Sequence, residues 1–171
     1  MKRPLPVEHP AYFEQYISLV KGENIIRVLE EQTIGVQAML SEVPEEKENY
    51  SYAPGKWTLK EVIGHIIDTE RIFGYRALRF ARGDKNTLPG FDQNEYVKNA
   101  DFNKRSLYEL GHEFGSVRGA NLALFKSFDE TALDRKGIAD GKEMSVRAYI
   151  YTIAGHAAHH INVIRTKYIA D

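Results

Sequence analysis

The sequence predicts an all-α four-helix bundle with long connections, and three observations predict it. Four stretches of roughly twenty residues each repeat apolar side chains at the helical period. Breaks rich in Gly, Pro and Asp separate these stretches, and no internal repeat or low-complexity tract interrupts them. Hydrophobic residues make up 43% and charged residues 27% of 171 positions, the balance of one globular domain (1–171) with a full core.

A short helical turn around 11–19 precedes the first long helix. That helix is predicted over about 23–42, where Ile26, Leu29, Val36, Met39 and Leu40 share a face. The segment "EVPEEKENYSYAPGK" then breaks the pattern. The second helix has the clearest start: Thr58 can cap, Glu61 completes a capping box, and Trp57 can staple onto Val62. It should run to about Arg82. The third starts at "SLYE", a second capping box of Ser106 with Glu109. Leu107, Leu110, Phe114, Val117, Leu124, Phe125 and Phe128 carry it to about 128. The fourth follows Ser145 and runs nearly to the end on Val146, Tyr149, Ile150, Ile153, Ala157, Ile161 and Ile164. The 83–105 connection exceeds the ~12–15 residues beyond which a structureless loop is uncommon, so it reads as a lid, a binding loop or an excursion along another helix. A small hairpin fits around Asp140-Gly141.

Composition excludes several functions. A net charge of -1 gives no footprint for nucleic acid. Without cysteine there is no disulfide, thiolate metal site or thiol nucleophile, so metal chemistry must rest on histidine and carboxylate. The longest stretch free of Asp, Glu, Lys and Arg, 148–164, is short for a membrane span and carries three histidines. With no signal-like apolar run at the N-terminus either, a cytoplasmic location is expected.

Three of six histidines fall in "GHAAHH". At about 100° per residue from Ile153, His160 falls near 340°, inside the apolar stripe, His156 near 300°, at its edge, and His159 near 240°, away from it. His156 and His160 are thus an inward i, i+4 pair, the spacing that lets two imidazoles share an ion. His65 in "EVIGHIIDTE" lies on the inward face of the second helix and supplies a third imidazole, leaving open coordination positions. Asp68, one turn on, either orients His65 and accepts a proton or pairs with Arg71 as a surface acid. Arg76, on the His65 face, either anchors an anion or forms a salt bridge. Asn121, on the third helix's apolar stripe, bonds a ligand or, more simply, a buried backbone group. Glu61 belongs to the cap, and His9 and His112 have no helical partner.

The segments "YAPGKWTLKEVIGHIIDTERIFGYRALRFARGD", "LPGFDQNEYV" and "SVRAYIYTIAGHAAHHINVIRTKY" resemble the DinB-like family, also called YfiT-like metal-dependent hydrolases, over nearly the whole chain. The resemblance implies a four-helix bundle binding one divalent transition metal (Zn, Ni, Fe or Mn). Its ligands would be His65 on the second-helix motif and His156 and His160 on the H-x-x-x-H pair. Relatives include transferases and isomerases that use a low-molecular-weight thiol such as bacillithiol or mycothiol, and dimers are common among them.

Two enzymatic readings follow: a hydrolase on a small-molecule substrate, for which Asp68 is the candidate base, or a thiol S-transferase. In the latter, Arg76 or Arg118 would hold the thiol's carboxylates. Both need a bound nucleophile whose pKa the metal lowers. The alternative is a non-catalytic, stress-related protein that binds a metal or small molecule. No membrane or nucleic-acid partner is expected, and a homodimer is.

Overall fold

The computed structural model describes residues 1–169; residues 170 and 171 lie outside that range. Two 3-10 turns and α1 (Glu14–Ile17) lead to α2 (Ile25–Ser41) and α3 (Leu59–Ala81). Then come α4 (Gln93–Asn99), α5 (Leu107–Lys126) and α6 (Glu130–Asp134). The hairpin β1 (Lys136–Ala139) and β2 (Lys142–Ser145) leads into α7 (Val146–Val163), which continues as a π-helical turn over Ile164–Tyr168.

The bundle consists of α2, α3, α5 and α7. Both α2 and α3 pack on α5 and on α7, so the two long helices that follow one another first in the chain sit on a diagonal. Local chemistry fixes the helix starts. The Thr58 hydroxyl accepts from the Glu61 amide at 3.1 Å while Glu61 accepts from the Thr58 amide at 2.7 Å. Ser106 and Glu109 repeat this reciprocal cap, and Ser145 accepts from the Ala148 amide at 3.0 Å. None of the described helices is long and apolar enough to cross a membrane.

The core has two apolar halves with a polar layer between them. Leu29, Phe73, Phe125 and Ile153 belong to one half; Val36, Val62, Phe114 and Ala157 belong to the other. Between them on each helix lies a polar residue: Gln32, Glu70, Arg118 with Asn121, and His156. Arg118, fully buried on α5, donates from Nε to Glu70 at 2.9 Å and from Nη2 to the same carboxylate. Its Nη1 donates to the Leu29 carbonyl at 3.1 Å and to Gln32 at 3.3 Å. Gln32 in turn donates to the Ala154 carbonyl at 2.9 Å, so one guanidinium is tied to all four bundle helices. Asn121 donates to the Glu70 carbonyl at 3.1 Å and to its carboxylate at 3.0 Å, the backbone role expected of it with an acidic partner added. Gly74 makes room for this amide, since a Cβ there would lie 2.3 Å from the Asn121 oxygen.

The expected hairpin forms, with a two-residue turn at Asp140 (φ 55°) and Gly141 (φ 69°), the left-handed pair of a type I′ turn. The 83–105 connection is an excursion along α3. Leu88 bridges to the hairpin, donating to the Ile138 carbonyl at 2.9 Å and accepting from the Asp140 amide at 3.0 Å. Asp92 caps α4, accepting from the Asn94 amide at 2.8 Å. Phe102 then presses on Gly64, where a Cβ would lie 2.4 Å from its ring. Leu88, Val97 and Phe102 are the buried anchors, whereas Tyr96 stays half exposed.

Glu70→Ala leaves the Arg118 guanidinium buried without its counter-charge. The expected loss is ~3–5 kcal/mol of unfolding free energy, read from urea midpoints. An Arg118→Met, Glu70→Met double variant should recover a large part of it, because both buried charges are then gone.

Candidate metal centre

His65 on α3 and His156 and His160 on α7 meet at the edge of the polar layer. His156 Nε2 lies 3.1 Å from His65 Nε2 and 3.1 Å from His160 Nε2, and the three ligand atoms all fall within 4.8 Å of one another. The first two rings are buried and the third half-buried. A neutral ring nitrogen offers one in-plane lone pair or one N–H, so His156 Nε2 cannot form two ordinary hydrogen bonds at once. A cation among the three satisfies all of them. At metal–nitrogen bonds of ~2.0–2.1 Å, two ligands lie about 2.9 Å apart at a right angle and about 3.4 Å apart at the tetrahedral angle. The observed 3.1 Å lies between these values.

Electrostatics keep the donors ready. Burial pushes the His65 imidazole down to about 4 and His160 to about 3, the latter helped by His65 and His159. His156 is held well below the ordinary histidine range by burial and by its histidine neighbours. All three rings are therefore neutral near pH 7, the form that binds metals. Tyr16 abuts His156 edge-on at 5.4 Å, and Trp57 lies against His65 at 4.9 Å between ring centres. Gly155 lets α1 come this close: a Cβ there would lie 2.0 Å from the Tyr16 carbonyl oxygen.

Two cavities flank the centre. One, of about 290 Å³, has His65, His156, Tyr16, Thr69, Arg76 and Gln93 in its wall. The other, of about 300 Å³, has Trp57, Lys56, His159, His160 and Gln93. Gln93, the first residue of α4, borders both, so the 83–105 connection roofs the centre.

The remaining expected residues separate. His159 stands outside the triad, as its phase predicts, although it is half-buried edge-on against Tyr16 and not free in solvent. Asp68 lies 4.0 Å from Arg71, with burial raising its carboxyl against the pull of that arginine, and lines neither cavity. Arg118 is corrected: it is spent on Glu70 in the polar layer and reaches no ligand space. Arg76 does line the cavity beside the triad. Tyr16, Thr69 and Gln93 line the cavities beside the triad, and sequence reasoning did not nominate them. Only Thr69, one turn from His65 on the inward face, and Gln93, behind the Asp92 cap, had a local signal.

The DinB superfamily profile matches residues 29–164, a span that includes all three histidines. The chain belongs to the DinB superfamily. Two curated relatives, each named "putative metal-dependent hydrolase", are 23% identical to it. The Oceanobacillus iheyensis protein aligns over 82% of this chain and 81% of its own length, and the Geobacillus thermodenitrificans protein over 91% and 90%. Among solved structures, YfiT from Bacillus subtilis superposes with a TM-score of 0.68 at 17% identity, covering 82% of this chain and 84% of its own. It is described as "a probable metal-dependent hydrolase with an unusual four-helix bundle topology". The diagonal placement of α2 and α3 in this DinB superfamily chain is itself a departure from simple up-and-down neighbours.

Trp57 is the sole tryptophan and sits against His65, so its fluorescence reports on the centre. Titrating metal-free protein with Ni(II) should quench it saturably at one ion per chain. The same titration of His65→Ala should show no saturable phase.

Proposed function

We propose that the chain is a divalent-metal-dependent hydrolase of a small-molecule substrate, with His65, His156 and His160 as ligands. The observation that carries this reading is the convergence of three neutral Nε2 atoms beside two cavities, one reaching His65 and His156 and the other His160. Three imidazoles leave positions of a tetrahedral or larger sphere unfilled, the mark of catalytic over closed structural sites. When bound, the ion supplies Lewis acidity and a water made nucleophilic near neutral pH. The chain's own groups do the rest. Trp57 and Tyr16 pack against His65 and His156 and orient their rings, and Gln93 of the 83–105 connection borders the cavity where substrate would sit. Water adds across a carbonyl–heteroatom bond, and its proton leaves with the departing group. The names of the two curated relatives support the same class.

A second reading, a thiol S-transferase, is favoured by one observation: the cavity carries a buried cation, Arg76, suited to the carboxylates of a low-molecular-weight thiol. In it His65, His156 and His160 would hold an ion that lowers the thiol's pKa; the sulfur would bond to an electrophilic carbon as the bond to the leaving group breaks, and the thiol proton would leave with that group.

Replacing His65, His156 or His160 by Ala should lower metal content after dialysis by about tenfold or more, measured by elemental analysis of untagged protein. His159→Ala should retain it, and loss in His159→Ala alone would transfer the site to that residue. Metal-loaded wild type should then turn over members of an ester and amide panel, whereas turnover confined to thiol-plus-electrophile mixtures would select the transferase. Inactivity on both panels would leave a non-catalytic binding protein. We also infer a homodimer, supported by exposed Ile34 and Tyr108; a sole 19.5 kDa species in sedimentation at micromolar concentration would reject it.

A further inference from the structure

Three arginines are buried, and two of them have carboxylate partners. Arg118 pairs with Glu70, and Arg147 pairs with Glu8, Glu130 and Asp134. Arg76, 6% exposed, makes no such bridge among the described residues. Its guanidinium donates from Nη2 to the Pro89 carbonyl at 2.9 Å and lies 5.5 Å and 5.9 Å from the ring centres of Phe73 and Phe91. A guanidinium cannot shed its proton to escape burial, so its charge persists inside the protein. The neighbouring groups do not cancel it. Burial pushes the Tyr149 hydroxyl up to about 12 even against the pull of Arg76, so this tyrosine is neutral. Asp140 lines the same cavity but is held by Lys142 at 2.6 Å. Two cations, Arg76 and Lys142, thus face one carboxylate, Asp140, which leaves the cavity one positive charge in excess.

The same wall holds a second unfilled polar group. Thr69, 3% exposed, has a buried hydroxyl without a hydrogen-bond partner among the described residues and lines the cavity between His65 and Arg76. His65, Thr69, Phe73 and Arg76 follow one another at spacings of four, four and three along one face of α3. From His65 to Arg76 the helix rises ~16 Å, and side chains lean back towards the helix N-terminus, which leaves a span on the order of 10 Å between the triad and the guanidinium.

We propose that Arg76 is the anion-recognition end of this cavity, and that its ligand is a small carboxylate with an apolar or aromatic body. The carboxylate takes the N–H donors that Pro89 and Tyr149 leave free, Phe73 and Phe91 flank the body, and Thr69 stands in the wall along it. The opposite end of the ligand reaches towards His65 and His156. As a statement about substrate, this rests on the proposed metal-dependent activity; as a statement about binding, it does not.

The test uses metal-free full-length protein, so that failure of the catalytic reading leaves it intact. Binding of 4-phenylbutyrate and of its neutral analogue 4-phenylbutan-1-ol is measured by calorimetry and by NMR shift mapping. Wild type should bind the acid about tenfold or more tighter than the alcohol, the difference expected for one charge-assisted contact. Shifts should centre on Thr69, Phe73, Arg76 and Phe91. Arg76→Gln, which keeps a donor for the Pro89 carbonyl, should lose the preference while retaining the wild-type melting temperature within a few degrees; Arg76→Lys should keep part of it. Equal affinity for acid and alcohol, or no binding of the acid, overturns the proposal. So does a preference that survives in Arg76→Gln and disappears in Lys142→Gln. A lower melting temperature in Arg76→Gln with the preference unchanged would make Arg76 only a tether for the connection.

Discussion

The buried pair of Arg118 and Glu70 is the constraint on which the rest of the architecture depends. Neither charge is tolerable alone in a protein interior, so each fixes the other's position. Because Arg118 also bonds the Leu29 carbonyl and Gln32, and Gln32 bonds the Ala154 carbonyl, four helices share one register. Apolar contacts alone would tolerate a slide of one helix along another at modest cost; a fully satisfied polar layer does not. That register sets His65 on α3 opposite His156 on α7 and leaves Thr69 and Arg76 on the cavity wall below them.

The polar layer and the triad are two different solutions to the problem of burying polarity. In the layer, positive and negative groups neutralise one another within the chain. In the triad, three bases of the same kind are brought together with no acid among them, and desolvation keeps them unprotonated. Such a cluster is a lone-pair source directed at something cationic. The cavity beside it carries the opposite bias through Arg76. A molecule lying across both would meet a lone-pair-donating end and a cationic end, a polarity that specifies orientation as well as charge.

Much of this was legible in the sequence because it is local. The capping boxes at Thr58 and Ser106 placed two helix starts to the residue, and helical phase alone separated His156 and His160 from His159. The Asp140-Gly141 turn was equally readable, since few residues accept a positive φ in succession. What escaped was long-range. A charged residue on an apolar stripe reads as a surface or ligand group until its partner is known, and the partner of Arg118 lies 48 residues away. For that reason Arg118 was open to a substrate role that its ion pair forecloses. Tyr16 gave no signal, because its place beside His156 depends on Gly155 presenting bare backbone to α1. Asp68 was ambiguous for a simpler reason: at three residues from His65 it shares a helix but faces another neighbour.

His65 and His156 stand 91 residues apart in the chain, and the other walls of their cavity come from segments equally scattered: around 12–16, 90–93 and 140–142. This is a non-local construction, and loop closure must be completed before any of it is rewarded. Secondary structure cannot anticipate it. A chain with all its helices formed but α7 not yet seated on α3 and α1 possesses each histidine and none of the enclosure. The centre therefore exists only where α7 is seated on α3 and α1, and its integrity reports on the whole bundle, not on the segment that carries the motif.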